Sequence, residues 1–313
     1  MKKVVCIGGG TGQSALLRGL KQIDDIELST IVAVADDGGS TGRLREDFNM
    51  PAMGDVRNVM VSLAEREDLM TKIMTYRFGE SDGELAGHNL GNIIISGLTK
   101  DCNNFLQAIT SLSEVVKVKG TIYPCTTESV TLSAHMEDGS IIDGETQIRE
   151  SKIGIKDVFY KNYVQTYPNV IKAINNADYI IIGIGSLYTS ILPNLIISDI
   201  RDALCNCPGK VIYYCNCMTE PGETDGYTLE DHIKVIEKNM AERVIDAVVV
   251  NNDQIPLEYL ERYRLAGSEE VIISQIDHNY RVFSHPLLSF DKGIIRHDAN
   301  KVRDSFKAIM KVI

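Results

Sequence analysis

The chain has 313 residues, 44% of them hydrophobic and 24% charged, with a formal net charge of −11. That length is enough for one large α/β domain with a sizeable core, and the negative balance argues against non-specific attachment to nucleic acid or an anionic membrane. No apolar run reaches the roughly 18–20 residues of a membrane span. The odd number of cysteines, seven, fits a reduced compartment, so the expected location is the cytoplasm.

The chain opens on a strand pattern at residues 3–7 that enters a strand rather than a signal-peptide core. It runs into Gly8, Gly9, Gly10, Thr11 and Gly12 and then into a helical pattern at residues 14–22. Glycines in a strand-to-helix turn let backbone N–H groups approach a ligand closely, and the helix points its positive end at the same place. A phosphate or pyrophosphate is the expected occupant. The turn is not a dinucleotide fingerprint, because Gln13 stands where the third glycine of G-x-G-x-x-G falls, and no Gly-Lys-Ser/Thr follows to make a P-loop.

A second strand pattern, residues 28–35, ends in Asp36, Asp37, Gly38, Gly39, Ser40, Thr41, Gly42 and Arg43. Ligands of open α/β sheets bind beyond the carboxyl ends of the strands. An acid here can hold a ribose hydroxyl, and Asp36 with Asp37 can hold Mg2+ beside a diphosphate. A solvated turn is the plainer reading of the same residues. Next come Gly54, Asp55, Val56, Arg57 and Asn58, with Asp55 as N-cap of a helix over residues 55–64. Arg57 can pair with Glu65 or Asp68, or clamp a phosphate. His88, Asn89 and Asn92, with Gly87 and Gly91, open a further helix over residues 90–99, as a structural or a ligand-facing polar cluster, and another helix follows at 105–115.

Residues 116–160 alternate as strands at 116–123, 130–137, 140–142 and 146–148, with a hairpin turn at residues 137–140. They are expected to form an antiparallel excursion inserted in a single domain spanning 1–313. The apolar run 179–184 reads as a central strand; Gly185, Ser186, Leu187 and Tyr188 follow it, then a helix over 193–204. Strand 211–215 leads to Asn216, Thr219, Gly222, Glu223, Thr224 and Asp225, and helix 229–239, strand 247–251 and a last helix at 300–311 complete the chain. The fold class is therefore α/β, Rossmann-like, in three α/β/α layers around a mostly parallel doubly wound sheet. Cys205/Cys207 and Cys215/Cys217 have a spacing short of the usual zinc pairs, and buried unligated thiols are expected. Glycine, hydroxyl, amide and acid residues gather at five strand ends and imply one long cleft for a phosphorylated ligand.

Six of these motifs, starting at Gly8, Asp36, Gly54, Gly87, Gly185 and Gly222, occur in an order that resembles the CofD/YvcK superfamily, more closely its bacterial YvcK branch of gluconeogenesis factors. The resemblance implies a Rossmann-like fold and a nucleotide in the cleft. For the YvcK branch it implies binding of a nucleotide sugar such as UDP-N-acetylglucosamine. Such a protein regulates, linking carbon metabolism in gluconeogenic growth to cell-wall synthesis and cell shape through protein partners, and a homo-oligomer is expected. The residues that would touch the sugar nucleotide are Tyr263 and Arg296. The resemblance to CofD implies an alternative, Mg2+-dependent transfer of a phospholactyl group from a guanosine diphosphate adduct. Binding of NAD(P) without redox chemistry is a third reading. Departures from the branch pattern at Ala52, Met53, Asn89 and Ile184 concern loop stiffness more than ligand chemistry.

Overall fold

A computed structural model describes residues 1–240, 245–275 and 279–313. Strand β1 (Lys2–Gly8) is buried from Val4 onward and feeds α1 (Gly10–Leu20), whose N-cap Gly9 offers no side chain. Strand β2 (Ile26–Val32) leads into α2 (Gly39–Phe48), which Asn49 ends in the left-handed region at φ 48°. Helices α3 (Gly54–Leu63), α4 (Glu67–Met74), α5 (Leu90–Cys102) and α6 (Phe105–Val115) follow. Asn89 and Asn104 cap α5 and α6 by accepting from the amides of Asn92 and Gln107.

Strand β3 (Thr121–Pro124) precedes a small layer of β4 (Leu132–Met136), β5 (Ile141–Asp143), α7 (Glu145–Glu150) and β6 (Ile155–Tyr160). The second half alternates α8 (Pro168–Asn175), β7 (Tyr179–Ile182), α9 (Leu192–Leu195), α10 (Ser198–Asn206), β8 (Lys210–Tyr214), α11 (Leu229–Asn239) and β9 (Ala247–Asn251). Helix α11 starts on a reciprocal capping box between Thr228 and Asp231. Helix α12 (Leu257–Leu265), β10 (Arg281–His285), the hairpin β11 (Leu288–Asp291) and β12 (Ile294–His297), and α13 (Ala299–Ile309) complete the described chain.

Seven strands form one sheet in the order β10-β9-β8-β7-β1-β2-β3, every pairing parallel. Its centre follows from composition: Ile180, Ile181 and Ile182 of β7 are wholly buried, each stabilising by about 1.5–3 kcal/mol. Helix α1 packs against α3 and α13, and α8 against α10. From β1 the chain moves outward through β2 to β3, and from β7 it moves the opposite way through β8 to β10. Between β1 and β7 the winding reverses, which is where a doubly wound sheet opens a crevice. The Rossmann-like α/β expectation thus holds, down to a separate antiparallel sheet of order β5-β4-β6.

Two local expectations are corrected. Residues 121–124 of the supposed excursion are β3, parallel to β2 at the edge of the main sheet, so the antiparallel part begins at β4. Residues 146–148 are helical, within α7. A three-residue alternation is too short to separate strand from helix. Here Gly144, at φ 96°, turns the chain, and the Thr146 amide donates to Asp37 Oδ1 at 2.9 Å, which fixes the first helical turn.

Candidate functional site: a cleft at the β1/β7 switch point

Beyond the carboxyl ends of β1, β7 and β8 lies a cleft of about 600 Å3, inside the usual range for small-molecule sites. One side is the glycine turn. Gly10 bends at φ +66°, and Gly12 approaches the opposite loop so closely that a Cβ would lie 2.6 Å from the Ile184 carbonyl oxygen. Behind the turn, Asn194 Nδ2 holds the Gly8 carbonyl at 3.0 Å. Gln13 is buried and donates through Nε2 to Thr30 Oγ1 at 2.8 Å and the Ile31 carbonyl at 3.0 Å. Its side chain bridges α1 to β2 where a dinucleotide fold needs close helix packing on a third glycine, which weighs against NAD(P).

The facing side comes from β7 and β8. Asn216 grips Gly185 on both sides, accepting from its amide at 3.2 Å and donating to its carbonyl at 2.9 Å. Residues Leu187–Ile191 form a single π-helical turn. Glu223 holds its start, accepting from the Tyr188 amide at 3.1 Å and the Thr189 hydroxyl at 2.8 Å. Burial, then the charge of Glu220, pushes the Glu223 carboxyl up to about 7 against those hydrogen bonds. An acid raised above its unfolded value of 4.5 costs stability progressively as pH climbs from that value through the folded one, and the loss is complete above it. Glu223→Gln keeps partners for both bonds, so its Tm should exceed that of the wild type at pH 8.5 and match it near pH 4. Scanning calorimetry across pH checks this.

Acidic groups cluster on the floor. The Gly38 amide anchors Asp36 Oδ1 at 2.9 Å. Asp55 lies in the first turn of α3 rather than at its N-cap, which is Met53. A Cβ on Gly9 would come within 2.7 Å of Asp55 Oδ2. Burial and then Asp36 raise Asp55 to about 6, with the Gly10 amide opposing as a hydrogen-bond donor. Glu145, brought in by α7, is raised well above the ordinary range by burial, Asp36 and Asp55, with Arg149 opposing.

Of the residues singled out in the sequence, Gly9, Gly10, Thr11, Gly12, Asp36, Asp55, Asn58, Gly185, Ser186, Asn216, Thr219 and Tyr263 line the cleft together. Arg296 lines an adjoining hollow with Thr11, Gly12 and Asn58. Tyr263 Oη accepts from the Ile295 amide at 3.1 Å, which ties α12 to β12 over the cleft. Gly38, Gly39, Ser40, Thr41, Arg57 and Asn92 border a separate, smaller pocket. Arg57 bonds the amides of Asn92 and Asn58 rather than Glu65 or Asp68.

The rest are supports. Asp37 does not line the cleft: its Oδ1 accepts from Thr146 N at 2.9 Å and Oγ1 at 2.7 Å, so it ties β2 to α7, and the acid whose charge meets Asp36 is Asp55. Gly8 lies behind the turn, Leu187 and Tyr188 are core, and Tyr188 Oη bonds Tyr227 Oη at 2.8 Å. Arg43 donates to the Ala86 carbonyl, His88 Nδ1 lies 3.3 Å from Ser40 Oγ, and Asn89 caps α5. Sequence reasoning missed Glu145, Arg149 and His297 as cleft residues, and it placed Glu223 in a strand-end motif without its hold on the π-helical turn. Only the long-range fold reveals them; Gly222-Glu223-Thr224 carried a motif but no burial signal. His297 is pushed down to about 4 by burial, and its Nε2 has no hydrogen-bond partner. Cys217 lines the cleft as a thiol pushed up to about 12, burial being the main cause.

The sequence profile described as 2-phospho-L-lactate transferase CofD matches residues 4–288. A Bacillus subtilis protein named gluconeogenesis factor is 40% identical over 313 residues, spanning 99% of this chain and 98% of its own. A Listeria monocytogenes protein of the same name is 38% identical over 309 residues, spanning 98% and 95%. The crystal structure of a UPF0052 family member from Bacillus halodurans superimposes with a TM-score of 0.92 at 38% identity, covering 97% of this chain and 99% of that one. Glycine turn, cleft and whole-length similarity agree: the chain belongs to the CofD/YvcK superfamily, in its YvcK-like branch of gluconeogenesis factors.

Proposed function

We propose that the cleft binds a nucleotide sugar of the UDP-N-acetylglucosamine kind, and that occupancy is a regulatory signal. By that signal the protein links gluconeogenic growth to cell-wall synthesis and cell shape, acting in the cytoplasm, as a homo-oligomer, on protein partners. The observation that carries the reading is the glycine turn opening at the switch point opposite Tyr263, with Arg296 in the adjoining hollow. The first-turn amides of α1 suit a diphosphate, and the guanidinium suits its charge. Groups that could act covalently are poorly disposed to: Cys217 is held as a thiol, burial leaves the His297 imidazole weakly basic, and Glu223 is engaged with backbone. That supports binding over covalent catalysis.

The test is calorimetry with UDP-N-acetylglucosamine. Saturable binding is expected, with a Tm that rises with ligand concentration. Arg296 is exposed, so Arg296→Ala should fold normally and bind about tenfold or more weakly through loss of a charge-assisted bond. No binding of any nucleotide sugar at millimolar concentration would sink the proposal.

One observation favours a second reading, Mg2+-dependent group transfer of the CofD type. Asp36 and Asp55 set two mutually repelling carboxylates beside the glycine turn. Among the described residues no three side chains gather as metal ligands. Mg2+ would therefore sit on Asp36, Asp55 and the nucleotide's own phosphate oxygens, as this ion commonly does. Bound there, it would neutralise charge on a transferring phosphoryl group. The chain's part is to hold Asp36 through the Gly38 amide and Asp55 through the Gly10 amide. Nucleotide affinity independent of Mg2+ would count against it.

A further inference from the structure

Beside the cleft, α2, α3 and the loop before α5 enclose a pocket of about 220 Å3. Its outer wall is basic. Arg57 and Arg77 both line it, and the repulsion of Arg77 is the largest charge effect on Arg57, ahead of Asp55 and Asp36 taken singly. Their hydrogen bonds go to neutral groups. Arg57 donates to Asn92 Oδ1 at 3.0 Å and Asn58 Oδ1 at 2.8 Å, and Arg77 to the Gly87 carbonyl at 2.7 Å. Arg57 Nε is buried without a partner. Arg43 extends the band past His88, whose imidazole feels both Arg43 and Arg77. Among the described residues, none of the three arginines is in an ion pair.

Arg57 is half-buried beside the exposed Arg77, Asp55 and Asp36 oppose the repulsion from the far side, and an anion held against both guanidiniums would relieve it directly. The floor adds to the same field. Helix α2 begins there at Gly39 with no side-chain cap, and a Cβ at Gly39 would meet nothing within 4 Å, so the helix start is open at that residue. Ser40 and Thr41 supply hydroxyls, already oriented by Asn92 Nδ2 at 3.4 Å and 3.2 Å.

We propose that this pocket is a second ligand site, for the phosphate or carboxylate group of a small acid other than the nucleotide. It reassigns Ser40, Thr41, Arg57 and Asn92 from the nucleotide to this second anion. The oxyanion sits against Arg57 and Arg77, away from Asp36. Because Asp36, Asp55 and Asn58 line both spaces, the occupant of one alters the field in the other. Such a protein reads two small molecules at once.

The test titrates inorganic phosphate and, separately, malonate into the full chain and into Arg77→Gln, with and without saturating UDP-N-acetylglucosamine. Binding is read by heat and by the 15N resonance of Arg57 Nε. Arg77 is exposed, so R77Q should fold normally. At least one probe should bind, shift Arg57 Nε, and lose about tenfold or more affinity in R77Q. Whichever probe binds identifies the anion as phosphate or carboxylate. Its binding should survive saturation with the nucleotide sugar, whose own affinity stays within about twofold in R77Q. Equal affinity in R77Q, competitive displacement by the nucleotide sugar, or no binding at tens of millimolar overturns the second site. If the nucleotide sugar does not bind but a probe still shifts Arg57 Nε and responds to R77Q, the nucleotide reading falls and this one stands.

Discussion

Gly12→Ala should abolish nucleotide-sugar binding and lower stability by about 1–3 kcal/mol, the usual cost of forcing an atom into filled space. The new Cβ would lie 2.6 Å from the Ile184 carbonyl oxygen, 2.8 Å from its carbon and 3.0 Å from the Gly185 nitrogen. All three are backbone atoms that no rotamer can move aside. Relief comes only if α1 retreats from the loop after β7, and that opens the two walls proposed to grip the phosphates. Gly10→Ala is the control. Its Cβ would meet only Ser190 Oγ at 3.5 Å, so its penalty is the left-handed φ of +66° alone, about 1–2 kcal/mol. Calorimetry and thermal melts on both variants should separate them: G12A melts lower and does not bind, G10A melts lower and still binds. Binding retained in G12A would show that the ligand does not use this turn.

Asp55→Asn should be more stable than the wild type, and the gain should depend on pH. The carboxyl is raised from 3.8 to about 6 in the folded state. The native protein therefore holds a proton that the unfolded chain has lost between those values, and stability falls as pH rises through 6. Asparagine removes that penalty, worth up to about 3 kcal/mol for a shift of roughly two units, and its Oδ1 can still accept from Gly10. The Tm difference should be absent near pH 3.5, open between pH 4 and 6, and level off above pH 7. The same variant should lose any Mg2+ dependence of nucleotide affinity. A Tm gain constant across pH would refute the electrostatic account. Stability given up for a carboxylate beside a phosphate turn is what a functional acid looks like.

The alternation of strand and helix was legible because the central strands are continuous apolar runs, and the strand-end glycines because they serve strong local geometry. Charge pairing was not. Asp36-Asp37 reads as one acidic unit, yet consecutive residues leaving β2 point apart. Asp37 reaches Thr146 on α7, and Asp36 meets Asp55 from α3. The DDGGSTG run looked like a turn, but α2 starts inside it at Gly39, since Gly and Ser suit a helix start as well as a loop. Glu145 and Arg149 come from a segment whose alternation suggested a strand, and the helical register is what aims both at the cleft. The pattern for α12 was missed for a plainer reason: it buries no residue fully, and only Tyr259, Leu260 and Tyr263 pack part-exposed on the core, a stripe too narrow to stand out.

The helix that carries the glycine turn is also the one on which the far end of the chain settles. At Gly19, α1 and the start of α13 come so close that a Cβ would lie 2.5 Å from the Ala299 carbonyl oxygen. Residues 295–297, just before α13, supply part of the wall facing Gly12. A site joined from segments so distant in sequence closes late, since the entropy of that long loop must be overcome before its contacts form. On the ribosome, the first half can fold its strands while the cleft stays without a roof. The proposed ligand would then engage only molecules in which α13 has docked on α1, so its occupancy would also report on folding.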